Sequence, residues 1–233
     1  MRCFVLVALA LAATAPVIGQ VPSPIVRTTP QSVRTLAPVF PYDLLLQGRE
    51  GAAEVQFMVE YSGKAILPAI VGATDPAFAQ ALLAEIEANE FLPLRVNGQP
   101  RLTPAQIKFS FTTKLDAVAK QVLGELRKPL PALPYADQLD KRPVAVRQDQ
   151  PTFPYSLQSD GVSGHAEVEI VIDRNGRVLF PRVIRATNAD IGYAAAALVS
   201  RWKYQPPMKD GQAVDARHTV TVNYDQAKMA TSW

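Results

Sequence analysis

AEVEIVIDRNGRV, residues 166–178, alternates apolar and polar side chains and then turns. Ala166, Val168, Ile170 and Ile172 fall on one side of an extended chain, and Glu167, Glu169 and Asp173 on the other. A period of two predicts a half-buried strand. Asn175-Gly176 is the strongest short hairpin signal a sequence offers. A second stretch, AEVQFMVEYSGKA at 53–65, has the same layout, with Ala53, Val55, Phe57 and Val59 inward and the turn at Tyr61-Ser62-Gly63-Lys64.

The two stretches are 113 positions apart, and that offset governs the whole chain. It superposes Phe40-Pro41-Tyr42 on Phe153-Pro154-Tyr155, Pro68 on Pro181, Ala73-Thr74 on Ala186-Thr187, Pro93 on Pro206 and Gly98-Gln99 on Gly211-Gln212. From Pro30 to Phe111 against Pro143 to Tyr224 there are 22 identities over 82 ungapped positions, many of them glycine and proline, which fix backbone shape. Two copies are too few for a solenoid, so two tandem domains are expected, at 30–111 and 143–224.

Within each copy a short turn or helix comes after the Phe-Pro-Tyr step. The strand comes next, then the hairpin and a second strand interrupted by Pro68 or Pro181, the mark of an edge or a bulge. Asp75-Pro76 and Asn188 read as helix starts. Phe78, Leu82 and Ile86, and Ile191, Ala195 and Val199, form apolar stripes. The helices are expected to run to EFLP and WKYQP and to end at the prolines. A last strand alternates through Ile107, Phe109 and Phe111, and through Val220, Val222 and Tyr224. The predicted class is α+β: two tandem small domains, each a three-stranded antiparallel sheet with a helix on one face, in the order turn-β-β-α-β. Residues 112–142 form a connector. Lys114–Arg127 has one apolar face, expected to pack on a domain, and Pro129, Pro131 and Pro134 stiffen the remainder of the connector.

The N-terminus reads as a signal peptide over 1–19: Arg2, then the apolar run Cys3 to Gly19, with cleavage expected after Gly19. An uncleaved anchor is the alternative, since a run of 17 residues stands at the short end of a bilayer span. Residues 20–29 are read as a linker and 225–233 as a tail. The expected location is the periplasm, or the inner membrane if the run is retained. Cys3 is the one cysteine, so the mature chain is expected to hold no disulfide. A net charge of +3 without a basic run argues against nucleic acid.

No phosphate loop, His-Glu-x-x-His helix or Gly-x-Ser-x-Gly elbow occurs, so no catalytic residue, cofactor, metal or small-molecule substrate is inferred. His165 and His218 have opposite strand parity and should point to opposite faces. Glu54 and Glu60, and Glu167, Glu169 and Asp173, are expected on solvated sheet faces, although paired carboxylates can also do acid–base work.

The ordered set Phe-Pro-Tyr, the Ala-Glu-Val strand, Asn-Gly, a helix, Trp202-Lys203-Tyr204-Gln205-Pro206, Asp-Gly and a final strand resembles the C-terminal domain of TonB-type energy transducers. Copy two carries the fuller match; copy one has Asn89-Glu90-Phe91-Leu92-Pro93 at the helix end. The resemblance implies a periplasmic binding domain and no enzyme. It implies a protein partner, an outer-membrane TonB-dependent receptor, whose extended segment adds to a sheet edge. The candidate edge is His218, Thr219, Val220, Thr221, Val222, Asn223 and Tyr224, with Ala105 to Phe111 as its counterpart and Trp202 as a further contact. Prolines at Val220 and Val222 are expected to abolish docking there. Only 20–39 separates the apolar run from the first Phe-Pro-Tyr step, a reach of about 60 Å even as polyproline helix, short for a transducer. The alternatives are an envelope assembly module acting by self-association or homodimerisation, and an anchored transducer.

Overall fold

A computed structural model describes residues 29–158 and 163–225. The expected signal peptide, most of the linker and most of the tail lie outside the described residues. In chain order the elements are α1 (Tyr42–Gln47), β1 (Gly51–Val59), β2 (Ala65–Ala73), α2 (Pro76–Glu87), β3 (Leu94–Val96), β4 (Gln99–Arg101) and β5 (Thr103–Phe111). Then come α3 (Ala117–Leu126), β6 (Ala145–Arg147), β7 (Gly164–Ile172), β8 (Val178–Ala186), α4 (Ala189–Val199), β9 (Lys203–Tyr204), β10 (Met208–Lys209), β11 (Gln212–Ala213) and β12 (Ala216–Tyr224). The class is α+β with antiparallel sheets.

Two three-stranded sheets are present, ordered β2-β1-β5 and β12-β7-β8. In both, the first strand of the hairpin is central and the last strand of the set is an edge. β1 pairs with β5 in unbroken register from Gly51↔Phe111 to Val59↔Thr103, and β7 pairs with β12 from Gly164↔Tyr224 to Ile172↔Ala216. The other edge of each sheet is irregular. β2 shifts register twice against β1, and β8 shifts at the equivalent two places against β7. At one of these bulges Leu67 and Phe180 each take φ of 50°, with Pro68 and Pro181 directly after them. The interrupting prolines therefore mark both an edge and a bulge.

The alternation in the sequence packs as expected. Val55, Phe57 and Val59 bury against Phe78, Leu82 and Ile86 of α2, and Val168, Ile170 and Ile172 against Ile191, Ala195 and Val199 of α4. The Phe-Pro-Tyr phenylalanines close the open ends of these cores. The Phe40 ring lies edge-on to Phe78 and Phe111, at 5.5 and 5.8 Å, and Phe153 lies edge-on to Tyr224 at 6.2 Å. Asp75 and Asn188 cap α2 and α4, accepting from Ala77 N at 3.0 Å and Ile191 N at 2.9 Å.

The helix ends differ from the sequence reading. α2 stops at Glu87 and α4 at Val199, several residues before Pro93 and Pro206. The aromatic stretch beyond is extended, because its main chain is claimed by the hairpin turn. Tyr204 N donates to Gly176 O at 2.8 Å, and Phe91 N to Gly63 O at 2.9 Å. Lys203–Tyr204 also pairs with β6. The small hairpins β3–β4 and β10–β11 and the β6–β9 pair are additions to the expected three strands.

Helix α4 is buried nearly all round, not along one stripe, because α2 packs on its far side. The arrangement is layered: sheet, α2, α4, sheet. Arg201 Nη2 bonds Glu85 Oε2 at 3.0 Å and Arg201 Nη1 bonds Ala88 O at 3.2 Å, tying the two helix ends. Glu85 is only 3% exposed, so loss of its cation would strand a charge. The contacts are reciprocal: α1 lies against β8, and the 3-10 turn Tyr155–Leu157 lies against β2. The α3 helix packs, as expected, on a sheet. Val122 and Leu126 meet Val171 on the outer face of β7, with Leu179 and Phe180 beside them. Its N-cap Asp116 accepts from Ala119 N at 2.8 Å and from Arg177 Nη1 at 2.8 Å. Arg177 in turn bonds Asp173 at 2.7 Å, so helix and hairpin are locked together.

Asp173 departs from the solvated face assigned to it. It is fully buried and accepts from Asn175 N at 2.8 Å and Arg177 N at 2.9 Å, folding the turn over itself. Glu167 and Glu169 stay on the outer face, where Glu167 meets Arg185 at 2.8 Å.

This packing makes two positions sensitive to substitution. Gly176 has φ of 78°, and a Cβ there would run into the Tyr204 carbonyl. Gly176→Ala should cost about 2 kcal/mol or more in denaturant unfolding. The second position is Glu87, whose carboxyl is buried between α2, the Tyr155–Leu157 turn and α4. Its pKa is pushed up to about 7, first by burial and then by Asp190 across the interface. The unfolded chain gives up this proton near 4.5 and the folded chain near 7, so stability falls as pH rises between those values and is level above them. Glu87→Gln should flatten that slope and raise stability at pH 8 by up to about 3 kcal/mol, measured by urea titration across pH.

Candidate partner-binding edge

An edge strand offers main-chain groups, and its pairing sets which of them are free. In an antiparallel pair, opposed residues alternate between exchanging both hydrogen bonds and exchanging none. Arg217 N donates to Pro134 O at 2.8 Å, outside the sheet. Arg217↔Val171 is therefore a pair of the second kind, as are Thr219↔Glu169, Thr221↔Glu167 and Asn223↔His165. The N–H and C=O groups of Thr219, Thr221 and Asn223 point away from β7. His165 O accepts from Thr187 N on the β8 side, which agrees with this parity.

The expected site residues thus divide into two sets. Val220, Val222 and Tyr224 put their side chains in the core and their main-chain groups on β7. His218 joins them, half-buried, its ring 6.0 Å from that of Tyr204. Burial, and then Arg142, hold its pKa below the usual histidine value. Thr219, Thr221 and Asn223 are exposed and face outward. Prolines at Val220 and Val222 would therefore break the sheet itself as well as any docking. His165 and His218 lie on opposite faces, and among the described residues no His, Cys, Asp and Glu cluster is arranged to hold a metal.

Trp202 is not on this edge. It packs against the second core and donates its indole N–H to Asp149 O at 3.3 Å. Tyr204 is buried, and its pKa is pushed up to about 12 by burial.

The sequence reading missed the segment that covers the start of β12. Beyond Pro134, Tyr135 forms a parallel bridge to Arg217, the Arg217 guanidinium sits 3.8 Å from the Tyr135 ring centre, and the Tyr135 hydroxyl donates to Glu169 at 3.1 Å. Asp140 then accepts from Asp210 N and Gly211 N, at 2.9 and 3.0 Å, holding the β10–β11 hairpin. The clue in the sequence was slight: one aromatic after a run of prolines.

The β5 edge repeats the geometry. Ala52 O accepts from Thr74 N on the β2 side, so Ala52↔Ser110 is an unbonded pair, and Pro104, Gln106, Lys108 and Ser110 turn outward. Pro104 lacks an N–H, and it stands at the one kind of ladder position where none is needed.

Residues 149–225 match the model of the family described as Gram-negative bacterial TonB protein C-terminal. That span holds β7, β8, α4 and β12; residues 30–111 lie outside it. The solution NMR structure of the Pseudomonas aeruginosa TonB CTD is similar at 20% identity, covering 36% of this chain and 85% of that one, with a TM-score of 0.31. No curated protein matches. The chain thus carries a TonB C-terminal-like domain over 149–225. Among the described residues no helix is long and apolar enough to cross a membrane.

Amide exchange checks the edge. Thr219, Thr221 and Asn223 should exchange about a hundredfold faster than Val220 and Val222, or more, with Arg217 slow. Equal protection along β12 would mean that the edge is covered.

Proposed function

We propose that this protein is a periplasmic, non-catalytic TonB-like binding protein of two tandem modules, 30–111 and 143–224, which takes an extended segment of an envelope partner as an added strand on β12. The partner class is an outer-membrane TonB-dependent receptor, and the process is TonB-related transport. One observation carries the reading: a nine-residue edge strand in unbroken register, with the main-chain groups of Thr219, Thr221 and Asn223 turned outward, inside the span that matches the TonB C-terminal family. Strand addition draws affinity from such groups and needs no special side chain. The equal strand order of the two sheets, and their shared registers and bulges, support the tandem layout. A family known for binding, not catalysis, supports the absence of an enzymatic role. Trp202 serves packing at the helix end in this reading, not docking. The periplasmic location rests on the apolar run after Arg2.

Thr221→Pro removes an outward N–H and leaves the ladder to β7 intact, as Pro104 does in β5. Binding to a purified receptor or to its extended N-terminal segment should weaken about tenfold or more in calorimetry, since a main-chain hydrogen bond contributes about 1 kcal/mol and the ring obstructs its neighbours. The melting temperature should stay within a few degrees. Unchanged affinity in a folded Thr221→Pro chain would remove β12 as the site.

A further inference from the structure

We infer that the chain is bivalent: β5 and β12 each receive an extended polypeptide segment, so that one molecule holds two strands at once. This rests on the strand-addition reading of β12 and extends it to a second surface.

Every open sheet has two edges, and here the four edges are of two kinds. The inner pair is spoiled for docking. β2 and β8 each carry two register shifts and a proline, and each is packed on by the helical turn of the other half, the Tyr155–Leu157 turn on β2 and α1 on β8. Arg182 reaches over the Tyr42 ring at 5.3 Å as part of that contact. Bulges and covering segments are the ordinary means of blunting an edge. The outer pair has neither device along most of its length. β5 and β12 are unshifted in register and nine residues long.

Each outer edge also has a stop at the same place. The outward N–H at the start of β12, on Arg217, is already used by Pro134. The equivalent residue in β5 is Pro104, which has no N–H to offer. Beyond the stop, three residues on each edge present outward pairs: Thr219, Thr221 and Asn223 on β12, and Gln106, Lys108 and Ser110 on β5. Among the described residues none of these main-chain groups has a partner outside its own ladder. The stops leave room for a segment of about five residues, read at alternate positions.

The structure itself indicates the kind of occupant. The segment already paired with β12 is extended main chain, the Pro134–Tyr135 bridge, with no side chain substituting for it. The two edges differ in the side chains that would flank the docked strand. β12 presents the uncharged Thr219, Thr221 and Asn223. β5 presents the exposed Lys108, beside a Gln106 that bonds Glu54 at 2.6 Å. A segment bearing a carboxylate suits β5, and a neutral, β-branched one suits β12.

The test places the photoreactive residue benzoylphenylalanine in the full chain at Lys108, at Thr221, at both, or at Ile184 on the inner edge β8, in cells carrying the native envelope. Adducts are mapped by peptide mass spectrometry, and melting curves confirm that each chain is folded. Bivalency gives adducts at Lys108 and at Thr221, each mapped to an extended segment of a partner, none at Ile184, and a double-site product holding two partner molecules. Adducts at Thr221 alone overturn the second surface and leave the one-strand reading standing. Adducts at neither outer site overturn both. Adducts of the chain with itself at both sites overturn a foreign segment as the occupant.

Discussion

The constraint on which this molecule turns is the alternation of main-chain direction along an antiparallel strand. Each sheet has a central strand whose polar groups are used on both sides, so the strands beside it keep half of theirs unused. Such groups must meet water, a partner or an obstruction. On β2 and β8 they are disrupted by bulges and covered by the other half of the chain. On β5 and β12 they are left to solvent after a single stop. Beyond Arg217 the side chains of β12 serve the core on one face and water on the other, and neither set has to be chemically unusual.

The packing of the two halves decides which edges remain. With α2 against α4, and each Phe-Pro-Tyr turn laid against the opposite sheet, the irregular strands come to the middle and the regular strands to the outside. Arg201 with Glu85 fixes this contact at the helix ends, and the half-buried Tyr193 of α4 reaches the first core. The connector is part of the same arrangement. Its helix lies on the outer face of the second sheet, and its extended end runs along β12 only as far as Arg217. It is a fixed element of the second half and not a loose tether, because Asp116, Tyr135 and Asp140 each bond to a different part of that half.

Much of this architecture is legible in the chain alone. The 113-residue offset, the period-two strands, the Asn175-Gly176 turn, the caps at Asp75 and Asn188 and the bulge-marking prolines are local, and local chemistry fixes them. The edge position of the last strand is expected from the family resemblance and is present in both sheets. The helix ends fall short of the prolines because the hairpin glycines claim the main chain of Tyr204 and Phe91 first, and a proline ends a helix only where the helix reaches it. Asp173 leaves the polar face because strand parity does not continue into a turn that folds back on its own carboxylate.

Elements, the 113-residue offset and the inward faces of the strands are thus written in the order of residues, since glycine admits φ values that other residues avoid, proline fixes its own φ, and alternation assigns faces whatever the surroundings. The identity of the unbonded pairs on β12, at Thr219, Thr221 and Asn223, is not written there, and neither is the closure of its start by Pro134 and Tyr135. Parity of main-chain direction leaves no mark on side-chain pattern. It is set by the strand that lies alongside, and that strand is contributed by residues far away in the chain.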